Sequence, residues 1–287
     1  MICVGQTSID SIRNDQGFVT NLLGGAATYP AVVAASIGAR VGLVSRIGDD
    51  FDTTYLDFLQ QVGVDIHGVT QSQGPSTRIH LEYQGEDLKS INVSEGVATA
   101  MKARDFPSKY YNTQLVHFTT LPYPVQLELQ SLLKNRCIIS YDPHAELNTM
   151  NLQAIKTLLH DVDILICNLH ELQKITKENN VTNAIQKITN FGPSLFCLMN
   201  GSKGASIVFE GKTIAIPSFP PQQIVDFVGA GDAFAAGFLV SYTRGYSLYK
   251  SGIIGALCGS HIIGGYGLTC LPTKEYITQF LTHVVSS

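Results

Sequence analysis

Short apolar runs recur along nearly the whole chain. Ile2–Val4, Val41–Ile47, Ile79–Tyr83, Leu115–Phe118, Cys137–Tyr141, Ile164–Cys167, Leu195–Met199, Ala205–Phe209 and Thr213–Ile216 are rich in β-branched and aromatic residues and have strand length. Helix-length segments lie between many of them: Thr28–Ile37, Thr53–Val62, Val125–Lys134, Leu152–His160, Glu171–Lys177, Thr182–Phe191 and, after a glycine-rich turn, Asp232–Tyr242. Strands alternating with helices predict parallel β-α-β units with helices on both faces of a sheet. The runs CIIS and DILIC are almost wholly apolar, as strands covered on both faces must be. Gly252–Ile263 is apolar but broken by small and polar residues, and it reads as a buried helix. With no repeat and no low-complexity linker, residues 1–287 are expected to form a single α/β domain.

Two stretches interrupt the alternation. Residues 11–23 are polar, with a turn at Asn14–Gly17, and residues 76–98 alternate on either side of a polar turn at Gly85–Asp87. The second is a hairpin signal. Extra β-structure near the end of the first strand can fold over a site as a lid, with an ordinary edge hairpin as the alternative.

Composition narrows the function classes. A chain of 287 residues that is 45% hydrophobic buries a full-sized core, and no apolar run approaches the ~18 residues that span a bilayer. No basic segment precedes the first apolar residues, so no signal peptide is expected. The formal net charge is -4 without a basic cluster, which argues against nucleic acid or an anionic membrane as partner. Six scattered cysteines without a C-x-x-C pair predict free thiols in a reducing, cytoplasmic setting. The histidines show no metal-binding spacing.

In open parallel sheets, ligands bind beyond the C-terminal strand ends, so the loops there are the candidate chemistry. Gly24-Gly25 precedes a helix of small residues whose backbone a ligand could approach closely; tight helix-on-sheet packing explains the same residues. Asn168 and Glu171 fit a capping box, or the ordering of water around Mg²⁺. The turn Asn200–Gly204 is either a plain hairpin loop or a backbone wall for nucleotide phosphates, with Lys203 near it. The stretch VDFVGAGDAFAAGF, residues 225–238, places the amides of Gly229, Ala230 and Gly231 at a helix start, where an anion binds. Asp232 beside that anion site is either the helix N-cap or a base that takes a proton from an attacking hydroxyl. The first strand is not followed by G-x-G-x-x-G, which counts against a dinucleotide oxidoreductase.

That stretch resembles the signature of the ribokinase-like (PfkB) carbohydrate kinases. LLGGAATYPAVVAASIGARVGLVSRIGDDF, YLDFLQQVGVDIHGV and NLHE resemble further family motifs in the same order, and the resemblance covers nearly the whole chain, a short one for the family. It implies a three-layer α/β sandwich with a mostly parallel central sheet and a small β lid, here approximately 11–23 and 76–98. It implies transfer of the γ-phosphoryl of ATP to a hydroxyl of a sugar, sugar phosphate, nucleoside or inositol. Carried over, Asp232 is the catalytic base, and Gly229, Ala230 and Gly231 form the anion hole. Asn168 and Glu171 organise Mg²⁺, and Asn200, Gly201 and Gly204 face the nucleotide. Asp10, taken to end the first strand, accepts from a substrate hydroxyl, with Gly24 and Gly25 lining that pocket. Asp226 and the Val228 carbonyl match a monovalent-cation site, K⁺ in members that need one. The chain departs from the pattern at three positions: Tyr29 replaces a sugar-contacting asparagine, Phe227 a threonine of the signature, and Met199 a nucleotide-facing threonine. These departures motivate an alternative, a ligand-binding sensor that kept the fold and lost catalysis. A lid with an apolar face would also allow a lid-to-lid homodimer.

Overall fold

The computed structural model describes residues 1–85, 87–144 and 150–284, with backbone alone for the last two. Its strands are β1 (Ile2–Val4), β2 (Ser8–Asn14), β3 (Gly17–Gly24), β4 (Val41–Ile47), β5 (Val64–Gln71), β6 (Thr77–Gln84), β7 (Asp87–Ser94), β8 (Leu115–Phe118), β9 (Ile138–Tyr141), β10 (Ile164–Asn168), β11 (Leu195–Met199), β12 (Ala205–Phe209) and β13 (Lys212–Ile216). Its helices are α1 (Thr28–Ser36), α2 (Thr53–Val62), α3 (Tyr123–Leu133), α4 (Leu152–Leu159), α5 (Leu169–Thr176), α6 (Val181–Thr189), α7 (Ala230–Thr243), α8 (Leu248–Ile262) and α9 (Lys274–Val284). The main sheet runs β13-β12-β11-β10-β9-β8-β1-β4-β5, parallel from β11 to β5 and closed at the other edge by the antiparallel β12 and β13.

Strand side chains alternate between two cores because successive Cβ atoms point to opposite faces. In β1, Cys3 joins one cluster and Ile2 and Val4 the other; in β10, Ile164 and Ile166 part in the same way from Leu165 and Cys167. The first cluster is covered by α1, α2, α7, α8 and α9, the second by α3, α4, α5 and α6. That is the expected three-layer sandwich.

The lid is a separate four-stranded sheet, β3-β2-β6-β7. It includes the whole of β2, so Asp10 sits within a lid strand and does not end the first strand. The expected first lid segment therefore starts too late: pairing with β6 begins at Ser8, because Thr7 to Asp10 are buried, not surface-polar. The strands of the expected hairpin at 76–98 are β6 and β7, and the turn assigned to Gly85–Asp87 falls partly outside the described residues. Polar hydrogen bonds tie lid to body next to the glycine-rich turn: Asn14 Nδ2 donates to the Val225 carbonyl at 2.7 Å and Gln16 Nε2 to the Ile224 carbonyl at 2.6 Å. Strand β5 and helix α9 went unforeseen in the pattern of apolar positions. β5 is an edge strand whose exposed residues interrupt its apolar pattern.

Candidate functional site

The glycine-rich turn resolves into a helix start. Helix α7 begins at Ala230, its N-cap is Gly229 with φ 80° and no side-chain cap, and Asp232 is the third helical residue. The N-cap alternative for Asp232 is thereby corrected: the carboxylate stands one turn in. The first-turn amides of a helix have no intrahelical partner, and those of 230–232 meet the positive end of the helix dipole. Gly229 is required on two counts: its left-handed φ, and a Cβ there would lie 2.3 Å from Cδ1 and Cε1 of the buried Tyr29 ring. Tyr29 thus forms the floor under the glycine-rich loop, and its hydroxyl is a buried atom without a hydrogen-bond partner among the described residues.

Four other strand ends and the lid bring their groups to the same place. Gly24 packs its backbone onto Asp10, since a Cβ there would meet the Asp10 carboxylate, and Gly25 lies as close to the Gln6 carbonyl. Asp10 is 2% exposed and accepts a 2.6 Å hydrogen bond from Ser8 Oγ. Burial pushes its pKa up to about 7, the Ser8 bond opposes this, and Asp226 and Asp232 add to it. Asp226 holds the loop itself: Oδ1 accepts from the Val228 amide at 3.0 Å and Oδ2 from the Gly267 amide at 3.2 Å. Burial raises its pKa while these bonds counteract.

At the end of β10, Asn168 and Glu171 make a complete capping box. Asn168 Oδ1 accepts from the Glu171 amide at 2.9 Å and Glu171 Oε2 from the Asn168 amide at 2.8 Å. Asn168 pairs in register with Met199, whose Cε would lie 3.3 Å from a Cβ on Gly231. The end of β11 therefore touches the start of α7. Asn200 follows, its amide bonded to the Gly204 carbonyl at 2.8 Å, with Gly201–Lys203 an exposed 3-10 turn. Phe227 also has a local explanation: its ring lies 6.4 Å from that of Tyr83 on β6, a contact between the lid and the signature loop.

Two residues at the site were missed in the sequence. Strand β9 runs into Asp142-Pro143-His144, and His144 Nε2 lies 3.3 Å from Asp232 Oδ1 and 3.8 Å from Asp142 Oδ1. Oxygens of both aspartates and a ring nitrogen of His144 fall within 4.8 Å of one another. Residue spacing hid this cluster because its members come from distant strand ends. The available signal was positional: a carboxylate and an imidazole directly after an apolar strand, where open sheets bind ligands. Burial raises the pKa of Asp142, which His144 opposes and Glu171 and Asp232 reinforce. Burial disfavours charge on His144, yet Asp142 and Asp232, with Glu171, together hold its pKa well above the usual value. A cleft of about 860 Å³ lined by Arg40, Lys109 and Arg244 opens at the opposite, N-terminal strand ends and contains none of these groups.

Carboxylates gathered around the amides of a helix start, beneath a lid, equip a protein to move a phosphoryl group to an alcohol. The comparisons agree: the model of the pfkB family carbohydrate kinases matches residues 1–274, and the chain belongs to that family. It is 33% identical over 252 residues to a cytidine kinase of Thermococcus kodakarensis, covering 86% of this chain and 90% of the relative. It is 27% identical to a nucleoside kinase of Methanocaldococcus jannaschii, covering 97% and 95%. The crystal structure of a nucleoside kinase from that organism, described as an archaeal member of the ribokinase family, superposes with a TM-score of 0.84 at 24% identity, covering 98% and 97%. The ribokinase-like fold and phosphotransferase class expected from the sequence are thus shown. No helix among the described residues is long and apolar enough to cross a membrane, and all six cysteines are free thiols.

Proposed function

We propose that the protein transfers the γ-phosphoryl of ATP to a hydroxyl of a nucleoside, with Asp232 as general base and the amides of Gly229, Ala230 and Gly231 as the anion hole. The observation that carries this is Asp232 itself: it is 8% exposed, third in α7 at the helix start, and its buried Oδ1 faces His144 Nε2 at 3.3 Å in a cluster with Asp142. A carboxylate buried close to another acid at a helix end that attracts anions is costly unless it has a proton to accept there. Relatives at 33%, 28% and 27% identity are a cytidine kinase and two nucleoside kinases, while the sugar and sugar-phosphate kinases stand at 24–25%, which supports a nucleoside over a free sugar. Tyr29 supports it too, since the bulk of a buried tyrosine displaces the polar contact to a sugar implied at that position.

The acceptor lies beneath the lid, its sugar hydroxyls on Asp10 and the Gly24-Gly25 backbone. Asp232 takes the proton of the attacking hydroxyl, and the helix-start amides stabilise charge on the phosphoryl group in flight. Asn200, Gly201 and Gly204 bound the nucleotide. Mg²⁺ neutralises phosphate charge when bound. Mutual repulsion among Asp142, Glu171 and Asp232 is what a divalent cation relieves, and Glu171 would hold it through water. Asp226 and the Val228 carbonyl would hold K⁺ at the loop they already shape.

On the edge strand β7, Leu88, Ile91 and Val93 are 47%, 48% and 47% exposed, which supports a homodimer through the lid. We also assign the enzyme to the cytoplasm, on its free thiols. ADP release is to be measured with cytidine, uridine, adenosine, inosine, ribose and fructose, with and without K⁺. Turnover is expected with a nucleoside, and Asp232→Asn should lower it by about 10²–10⁴-fold with nucleotide binding kept. Thermal stabilisation by acceptors with no ADP release would establish the sensor instead. A variant keeping more than about a tenth of the rate refutes the base assignment.

A further inference from the structure

The reaction as derived leaves His144 without a task, although its surroundings give it one. The residue has φ 45°, a left-handed backbone conformation that non-glycine residues rarely adopt and that local structure must enforce. Nε2 lies 3.3 Å from Asp232 Oδ1, an ion-pair contact between two buried atoms. The side chain as a whole is 30% exposed, so one side of the ring faces open space. Charge adds a second constraint. The side chains that bear electrostatically on Asp10, Tyr29 and Tyr83 are acidic or phenolic, and His144 is the one base that bears on Asp142. ATP brings more negative charge into this acidic site. If Asp232 takes the proton of the attacking hydroxyl, the phosphoryl group that the hydroxyl attacks is brought next to His144 Nε2, which lies 3.3 Å from Asp232 Oδ1.

We propose that His144 is a further catalytic residue: its Nε2–H, held beside Asp232 in the free protein, donates a hydrogen bond to an oxygen of the phosphoryl group during transfer. In the step, the acceptor O–H bond breaks and its proton goes to Asp232 as the new O–P bond forms. The bond from phosphorus to the bridging oxygen breaks, and its electron pair leaves with ADP. His144 keeps its proton throughout. Turning from Asp232 to the phosphoryl group frees the base at the moment it must accept a proton, and puts positive charge where negative charge must move. This role rests on Asp232 as the base.

The test is steady-state kinetics of the full chain with ATP and the acceptor from the screening panel that releases ADP fastest. His144→Asn, a residue that tolerates left-handed backbone, removes the charge. It should lower kcat by about 10²–10³-fold with KM for the acceptor within about threefold. His144→Lys should recover part of the loss, which a merely structural role would not predict. A kcat for His144→Asn within about threefold of the parent, or a loss confined to KM, overturns the proposal. Asp232→Asn is run alongside: if it stays active the base reading fails, whereas if only His144→Asn stays active the role of His144 alone falls. Should His144→Asn not fold, His144→Gly with and without added imidazole decides. Recovery of kcat with imidazole supports the proposal, and its absence overturns it.

Discussion

Adding one methyl group at Gly229 tests the packing under the glycine-rich turn. Gly229→Ala places Cβ 2.3 Å from Cδ1 and Cε1 of Tyr29, where carbon atoms prefer about 3.5–4.0 Å. Tyr29 is only 2% exposed and cannot swing away, so the loop or the ring must move by more than an ångström. Overpacking of this kind costs about 1–3 kcal/mol. The left-handed φ of 80° adds about 1–2 kcal/mol for a residue carrying a Cβ. Together the loss is about 2–5 kcal/mol, a large part of the roughly 5–15 kcal/mol that holds a domain together. Urea unfolding should show a lowered midpoint with an unchanged slope. Tyr29→Ala provides the cycle: the clash vanishes in the double variant while the φ cost remains, so the two changes should couple by about 1 kcal/mol or more. Gly231→Ala is the control, since its Cβ meets only the flexible Met199 at 3.3 and 3.5 Å, inside a helix that favours alanine. A loss below about 1 kcal/mol for Gly229→Ala, or strict additivity with Tyr29→Ala, would refute the account of this loop.

Three further outcomes follow from the site and its supports. Asn168→Ala removes one half of the capping box and should cost about 1 kcal/mol by urea unfolding, whereas Glu171→Gln should cost less; equal losses would contradict the box geometry. His117 is fully buried against Ser140 Oγ at 3.1 Å, and burial lowers its pKa to about 3. Between pH 6.5 and 3 the unfolded chain then binds a proton that the folded one does not, so stability falls by about 1.4 kcal/mol per pH unit on acidification, a slope His117→Asn should remove. Asp10 has the opposite sign. Its folded pKa of about 7 exceeds the usual carboxylate value, so the folded state loses stability as pH rises from about 4 to 7. Asp10→Asn should therefore be the more stable protein at pH 8 while binding acceptor worse; a destabilised variant at pH 8 would show that the Ser8 bond outweighs burial.

Much of the main sheet can be read along the chain because its strands are buried on both faces. DILIC and LFCLM have no polar alternation to confuse them with helices of similar length, and β10 and β11 lie there. The lid is less legible. β2 carries buried Ser8 and Asp10 among apolar positions, so the same residues read as a polar connection until their partners on β6 are known. At the site, Asp232 and its glycines stand out because they are contiguous and occupy a helix start. Asp142 and His144 do not, because no local spacing relates them to residue 232.

The amino-acid sequence alone determined the layer architecture, the family motifs at the strand ends, and a helix start of small residues with a carboxylate in its first turn. Those are consequences of local pattern: period of burial, small residues at a helix start, a carboxylate within one turn. Only the tertiary structure decided that Asp232 is not the cap, that Asp10 belongs to the lid, that Tyr29 supports the anion loop, and that an imidazole stands between two aspartates. Each of these depends on distances between chain-distant atoms, which the packing of the sheet sets and no local pattern encodes.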